Sequence, residues 1–440
     1  MIFLLYINIH QCTNIQIISI LQLFIQKEKI MSEIEPSMQK KRYIILIAGV
    51  IIQFCAGIIY MWSVFNGPVA EYLGNWDTSA AKLTASFMLV AFVAGILIGG
   101  RIMDKIGPRT TCLSGALIMS VGILASSLVT SSFPELIYVT YGLIGGFGVG
   151  VVYTCTVSPI QKWFYDRKGF ATGVMVGAFG FSLVIFGPLA EALLPAIGVP
   201  STFQLFGIAF LILCIPASLI IASPTAEYIN NLRGPMAPSK QKQYTTGEML
   251  KTKSFYLITF SLFFVLAAFF IMNPAVKELG NQRNLGDLVS LCVPLIGICS
   301  ASGRLFITWV SDKIGRMMSL FFISGMTILG SVCITFAEGV FFLICIAIIT
   351  FAFGGAAGIY ATVTSDHFGA QNMGSNYGFV MLGFGASALI FPFISNILLD
   401  GGTDYTMSFV LAAVACVFAI ICVLLLRTQK AKDNAMTETA

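Results

Sequence analysis

The chain has 440 residues, 57% of them hydrophobic and only 10% charged. Soluble domains carry about 25% charged residues, and a soluble protein of this length could not hide so much apolar surface, so the composition predicts a polytopic membrane protein. The net charge of +5 comes from short basic loop clusters and forms no basic face, which argues against nucleic-acid binding.

The first thirty residues are apolar but interrupted by Asn8, His10, Gln11, Asn14 and Gln16. They lack a basic start and a small-residue cleavage site, so they make a poor signal peptide. Met31, which opens MSEIEPSMQKKR, is the expected start of the chain. An amphipathic surface helix is the competing reading of residues 1–30.

After this N-terminal segment, 1–42, stretches of about 20 apolar residues recur, the length that crosses a bilayer. They predict spans at 43–65, 82–103, 111–131, 134–158, 169–194, 201–223, 253–273, 286–310, 317–337, 339–363, 375–399 and 404–426. The longest polar connection, 224–252, holds Pro224, Pro235 and Pro238 and reads as a linker. It separates a half at 43–223 from a half at 253–426, and a tail follows at 427–440. The expected fold is an all-α membrane protein with twelve transmembrane helices in two six-helix repeats. Lys and Arg crowd the N-terminal segment, the linker, the turns after spans two, four and eight, and the tail. The opposite loops hold only Lys82, Lys277 and Arg283. Both termini and the linker are therefore expected in the cytoplasm, with the protein in the cell membrane.

The halves repeat at a nearly constant offset. GPVAEYLG (67–74) matches NPAVKELG (273–280), and Asp104-Lys105-Ile106-Gly107 matches Asp312-Lys313-Ile314-Gly315. VYTCTV (152–157) matches IYATVT (359–364), and GFATG (169–173) matches GSNYG (374–378). Internal repeats of this kind build many transporters, with the substrate between the halves near mid-membrane.

The loops after spans two and eight carry a compact pattern: Asp104, Lys105, Gly107 and Arg109, then Asp312, Lys313, Gly315 and Arg316. The glycines suit tight turns. The aspartates at helix ends can pair with cations and latch one side of the molecule. The pattern resembles the signature of the major facilitator superfamily, over residues 43–426, with Pro108 and Thr308 as mild departures. QKWFYDRKGFATG (161–173), FGAQNMGSNYG (368–378) and YMWSVFNGP (60–68) are similar to the branch of oxalate–formate antiporters and monocarboxylate transporters. The resemblance implies a monomeric transporter of a small organic anion, exchanged for a counter-anion or carried with a proton. It implies no enzyme and no cofactor.

Charges inside spans are costly and mark pathways. Arg304 is the deepest, inside a run that is otherwise apolar or small from Leu288 to Ser311. A guanidinium offers two parallel donors that match a carboxylate. The resemblance implies that role for an arginine at this place. The competing reading is that Arg304 snorkels or props the loop at Asp312, about 12 Å away at 1.5 Å per residue. Oxalate antiporters of the resembled family carry a lysine where this chain has Phe384, so one cation is expected to take one negative charge, a monocarboxylate. Proton-coupled relatives place an acid where this chain has Ser300.

Further candidates line the expected path. Gln53, Gly57 and Tyr60 share one face of the first span. Tyr153 and Tyr360 are repeat-related and could close an aromatic cage; Asn376 and Tyr377 open the eleventh span. Helix packing or interfacial anchoring is the alternative for each. Gly142, Gly146 and Gly150, and Gly169, Gly173 and Gly177, read as packing stripes. Lys162, Arg167 and Lys168 read as topology signals. The eleven cysteines and two histidines show no metal spacing. Drug efflux and a transporter-like nutrient sensor are the remaining alternatives. No Walker-type glycine loop is present, so ATP is not expected to power transport directly.

Overall fold

A computed structural model describes residues 36–74, 76, 78–225, 227–229, 242–399 and 404–438. Residues 1–30, and with them the question of the start at Met31, lie outside the described residues, as does most of the linker. The described residues are helical, with no strand among them. In chain order the helices are α1 (Pro36–Ala56), α2 (Trp62–Tyr72), α3 (Thr78–Ile106), α4 (Pro108–Ala125), α5 (Gly146–Trp163) and α6 (Lys168–Ile220). The linker contributes α7 (Thr246–Met249). The second half holds α8 (Lys253–Val265), α9 (Ala267–Gln282), α10 (Cys292–Ile314), α11 (Arg316–Cys333), α12 (Gly339–Phe368), α13 (Met373–Leu399) and α14 (Thr406–Glu438).

Among the described residues eleven helical stretches are long and apolar enough to cross a membrane. The longest, Tyr165–Ile220, has 56 residues. At about 1.5 Å per residue it far exceeds a bilayer core of about 30 Å. Gly198 breaks it, with φ 78 and ψ 169, a conformation that only glycine adopts without strain. Divided there, the eleven stretches become twelve. Exposed Ile212, Val340 and Phe393 belong to an outer surface that suits lipid better than water.

Two helices differ from the expected spans in the same way. The first predicted span is broken by a 3₁₀ turn at Gly57–Tyr60, after which α2 continues to Tyr72. The seventh is broken at Leu266, between α8 and α9. The breaks fall at equivalent places in the repeat, and each is followed by a proline, Pro68 or Pro274. The helix of the last span, α14, continues through the expected tail to Glu438.

The halves dock through symmetry-related pairs: α3 packs on α13, and α10 packs on the first part of α6. Glycines permit the approach. A Cβ at Gly100 would stand 2.2 Å from Gly374 O, and one at Gly169 would stand 2.1 Å from Thr308 O. The stripe at Gly146 and Gly150 packs likewise on α3, at Met88 and Phe92. The linker returns to the bundle through a capping box on α7. Thr245 N donates to Glu248 Oε2 at 2.8 Å, and Glu248 N donates to Thr245 Oγ1 at 3.3 Å. The backbone and then the hydroxyl of Thr245 hold the Glu248 carboxyl below its ordinary value.

Candidate functional site

Arg304 lies on α10 and is only 1% exposed. Side chains tilt toward the start of their own helix, so Arg304 reaches away from the loop at Asp312. Its Nη2 donates to Tyr60 Oη at 2.7 Å, and its Nη1 donates to Val176 O at 3.5 Å. Among the described residues its Nε has no hydrogen-bond partner. The guanidinium carbon stands 5.4, 5.6 and 5.7 Å from the ring centres of Tyr60, Phe179 and Phe353. Aromatic faces stabilise a cation without neutralising it. Among the described residues no carboxylate pairs with Arg304. It does not prop the loop either, since Asp312 is taken by Arg316 and by two backbone amides.

Both halves build this surround. Gly180 of α6 makes room for the guanidinium, because a Cβ there would stand 2.5 Å from Nη1. Rings extend the cluster across the interface. Phe92 lies 5.5 Å from Tyr153 and 6.2 Å from Phe384, and Phe384 lies 6.3 Å from Phe353. Tyr153 and Tyr377, from opposite halves, stack at 6.5 Å with planes 21° apart. The structure thus gathers Arg304, Tyr60, Tyr153, Tyr377 and Phe384 into one aromatic cluster. Phe179, Phe353 and Phe92 belong to it too. They were missed because phenylalanine in an apolar span carries no signal of its own.

Three predicted lining residues are engaged elsewhere. Gln53 donates to Thr156 Oγ1 at 2.7 Å and to Tyr153 O at 3.3 Å, which ties α1 to α5. Tyr360 shares a hydrogen bond of 2.7 Å with Ser261 Oγ of α8 and joins none of the ring contacts around Arg304. The cage expected from Tyr153 and Tyr360 is closed instead by Tyr377. Asn376 donates to Tyr244 O at 3.1 Å and accepts from Thr246 Oγ1 at 3.0 Å, so it anchors the linker.

The loops after α3 and α10 mark one end of the molecule, here called the latch end. Gly107 and Gly315 make their turns at φ 92 and 87. Among the described residues, and although the charge of Lys162 acts on it, Asp104 forms no ion pair, contrary to the expected pairing. Its Oδ2 accepts from Ser375 N at 2.7 Å and Ser375 Oγ at 2.6 Å, at the start of α13. Asp312 accepts from Gly169 N at 3.0 Å and Phe170 N at 2.9 Å, at the start of α6. A carboxylate is favourable at a helix N-terminus, where amides are unpaired and the helix dipole is positive. Each half thus caps a helix of the other. Lys105 and Arg109 are exposed, and Lys313 lies over the ring of Trp309 at 4.3 Å. Two further residues, Asp366 and Lys168, complete the latch. Asp366 bridges Lys168 Nζ at 2.8 Å and Arg316 Nε at 3.0 Å. Lys168 is therefore an inter-half contact, beyond the topology signal expected of it.

At the opposite end the halves part. A cleft of about 870 Å³ lies between α2 and α6 on one side and α9 and α10 on the other. It reaches Ser63 and Leu183, about one helical turn beyond Tyr60 and Gly180. Arg304 sits beneath its floor.

This fold, with a buried site between two repeated halves, defines a membrane transporter. A family model described as the Major Facilitator Superfamily matches residues 46–382, and the chain belongs to that superfamily. It is 26% identical over 358 residues to the uncharacterized MFS-type transporter YhjX of Escherichia coli (strain K12), covering 80% of this chain and 87% of that one. It is 28% identical over 348 residues to the oxalate:formate antiporter of Oxalobacter formigenes, covering 77% of this chain and 80% of that one. Its fold matches the proton:xylose symporter XylE with TM-score 0.70 at 16% identity, over 87% of this chain and 95% of that one. The chain is a multi-pass membrane transporter and not an enzyme.

Proposed function

We propose that the protein carries a small monocarboxylate across the cell membrane by alternating access, with Arg304 binding the carboxylate. The observation that carries this reading is the unmatched guanidinium. A cation at the centre of a membrane helix costs about 2.5–3.5 kcal/mol on insertion scales. Arg304 has a hydroxyl, a carbonyl and three rings as neighbours and, among the described residues, no paired acid. A bound carboxylate supplies the missing charge with bidentate geometry. The likeness to an oxalate:formate antiporter is in keeping with such a substrate. Phe384 stands in the cluster where a second cation would suit a dicarboxylate, so one negative charge is favoured over two.

The same charge argument favours exchange. A loaded site moves between the two faces with its guanidinium matched. The bias of Lys and Arg supports a cytoplasmic position for the latch end and both termini. The conformation described here is then closed to the cytoplasm and open outward.

The test is uptake of labelled formate, lactate, pyruvate and oxalate into liposomes containing the purified protein, with and without internal counter-substrate. Saturable uptake of the monoacids, stimulated by counter-substrate, supports the reading. Transport of oxalate at a rate equal to the monoacids removes the one-cation argument, and transport of no carboxylate removes the substrate class.

A further inference from the structure

The outer cleft is lined by three charged residues: Glu71 and Glu191 from the first half and Lys277 from the second. Glu71 and Lys277 occupy the same register of the internal repeat, in GPVAEYLG and NPAVKELG. Each lies three residues beyond the equivalent prolines, Pro68 and Pro274, on a helix that follows the equivalent break. Both side chains are exposed, and neither forms an ion pair among the described residues.

Residues at equivalent positions in two repeated halves lie at matching distances from the axis that relates them. When the halves rock together at one end, those on the facing helices approach one another. Like charges at such a pair would resist closure. Opposite charges favour it. Glu191 lacks this relation, because its repeat counterpart is the neutral Asn396. The latch end shows that the protein closes an end with inter-half polar contacts, through Asp104, Asp312 and the Lys168–Asp366 pair. Among the described residues the cleft end carries no such contact in this conformation.

We propose that Glu71 and Lys277 form the outer gate: an ion pair that is made when the cleft closes and broken when it opens. It is the counterpart of the Asp104 and Asp312 latch and is engaged in the opposite phase of the cycle.

Two arms test it in the full chain. In membranes, the double variant Glu71→Cys with Lys277→Cys is expected to be joined by a short thiol cross-linker, with the 71–277 peptide identified by mass spectrometry. This arm needs no solute, so it stands or falls independently of the proposed substrate. In exchange assays, Glu71→Lys and Lys277→Glu are each expected to slow turnover by about two- to five-fold, the size of an exposed ion pair. Combining them is expected to restore the parent rate, and Glu191→Gln is expected to leave it unchanged. Should a reversal reduce the folded protein, Glu71→Gln and Lys277→Gln replace it; each is expected to slow exchange, and the double to slow it no further. Absence of the cross-link, or a combined variant slower than its singles, overturns the gate.

Discussion

Tyr60 Oη, in the first half, accepts a hydrogen bond of 2.7 Å from Nη2 of Arg304, in the second half, across 244 residues of chain. The bond joins the 3₁₀ break of the first span to the most buried cation among the described residues, just beneath the cleft. A bound carboxylate would compete for the same donor. Tyr60→Phe keeps the ring but leaves a buried N–H unpaired, which costs about 1–3 kcal/mol. The substrate-free variant is therefore expected to melt below the parent. The substrate is expected to raise its melting temperature by more than it raises the parent's, because only then does Nη2 regain an acceptor. Equal shifts in both proteins would show that Tyr60 and the substrate do not share Arg304.

Gly180 is the second lever on the same group. A methyl group there would stand 2.5 Å from Arg304 Nη1, at the far end of a flexible side chain. Gly180→Ala is thus expected to fold, to displace the guanidinium and to weaken substrate affinity by about tenfold or more. Gly325→Ala, in α11 with open space around it, is the control and is expected to transport normally. A Gly180→Ala protein with unchanged affinity would place the substrate elsewhere.

Charge number is tested at Phe384. Its ring contacts Phe92, Phe270 and Phe353, the last of which faces Arg304. Phe384→Lys is expected to raise the preference for oxalate over formate by about tenfold, since a second cation matches a second carboxylate. The measurement is the ratio of the two uptake rates in one liposome preparation, with melting confirmed first. An unchanged ratio would mean that position 384 does not face the substrate.

The latch makes a stability prediction. Lys168 keeps 6% of its side chain exposed, Arg316 15% and Asp366 28%. Asp366→Asn leaves Lys168 buried without its counter-charge. The expected loss is about 1–3 kcal/mol, less than for a fully buried pair because Asp366 is partly solvated. Adding Lys168→Met to that variant is expected to recover part of the loss in thermal melting. A single variant as stable as the parent would show the cluster to be incidental.

Much of this was legible in the residues. Arg304 stood out because one guanidinium in an apolar run violates the cost of burying charge. Gly107 and Gly315 were readable as turns, and both have positive φ. The partners were not legible. Asp104 binds a backbone amide 271 residues away, and an amide leaves no mark in a sequence. Lys168 and Asp366 are 198 residues apart, and only docking of the halves pairs them. Repeat symmetry points Tyr360 to the cage, but Ser261 takes its hydroxyl. Symmetry of sequence relates the backbones of two halves without fixing equivalent side-chain partners.

The most direct measurement is exchange of labelled formate or pyruvate in proteoliposomes loaded with the same unlabelled acid, for the parent, Arg304→Lys and Arg304→Gln. Between about pH 6 and 8 the substrate carboxylate stays ionised. The parent is therefore expected to exchange at a rate that is flat with pH. Arg304→Lys is expected to keep part of that rate through charge alone, and Arg304→Gln to fall to the liposome background. An Arg304→Gln protein that exchanges within about twofold of the parent would contradict the account, because its buried cation would then have no part in holding the anion.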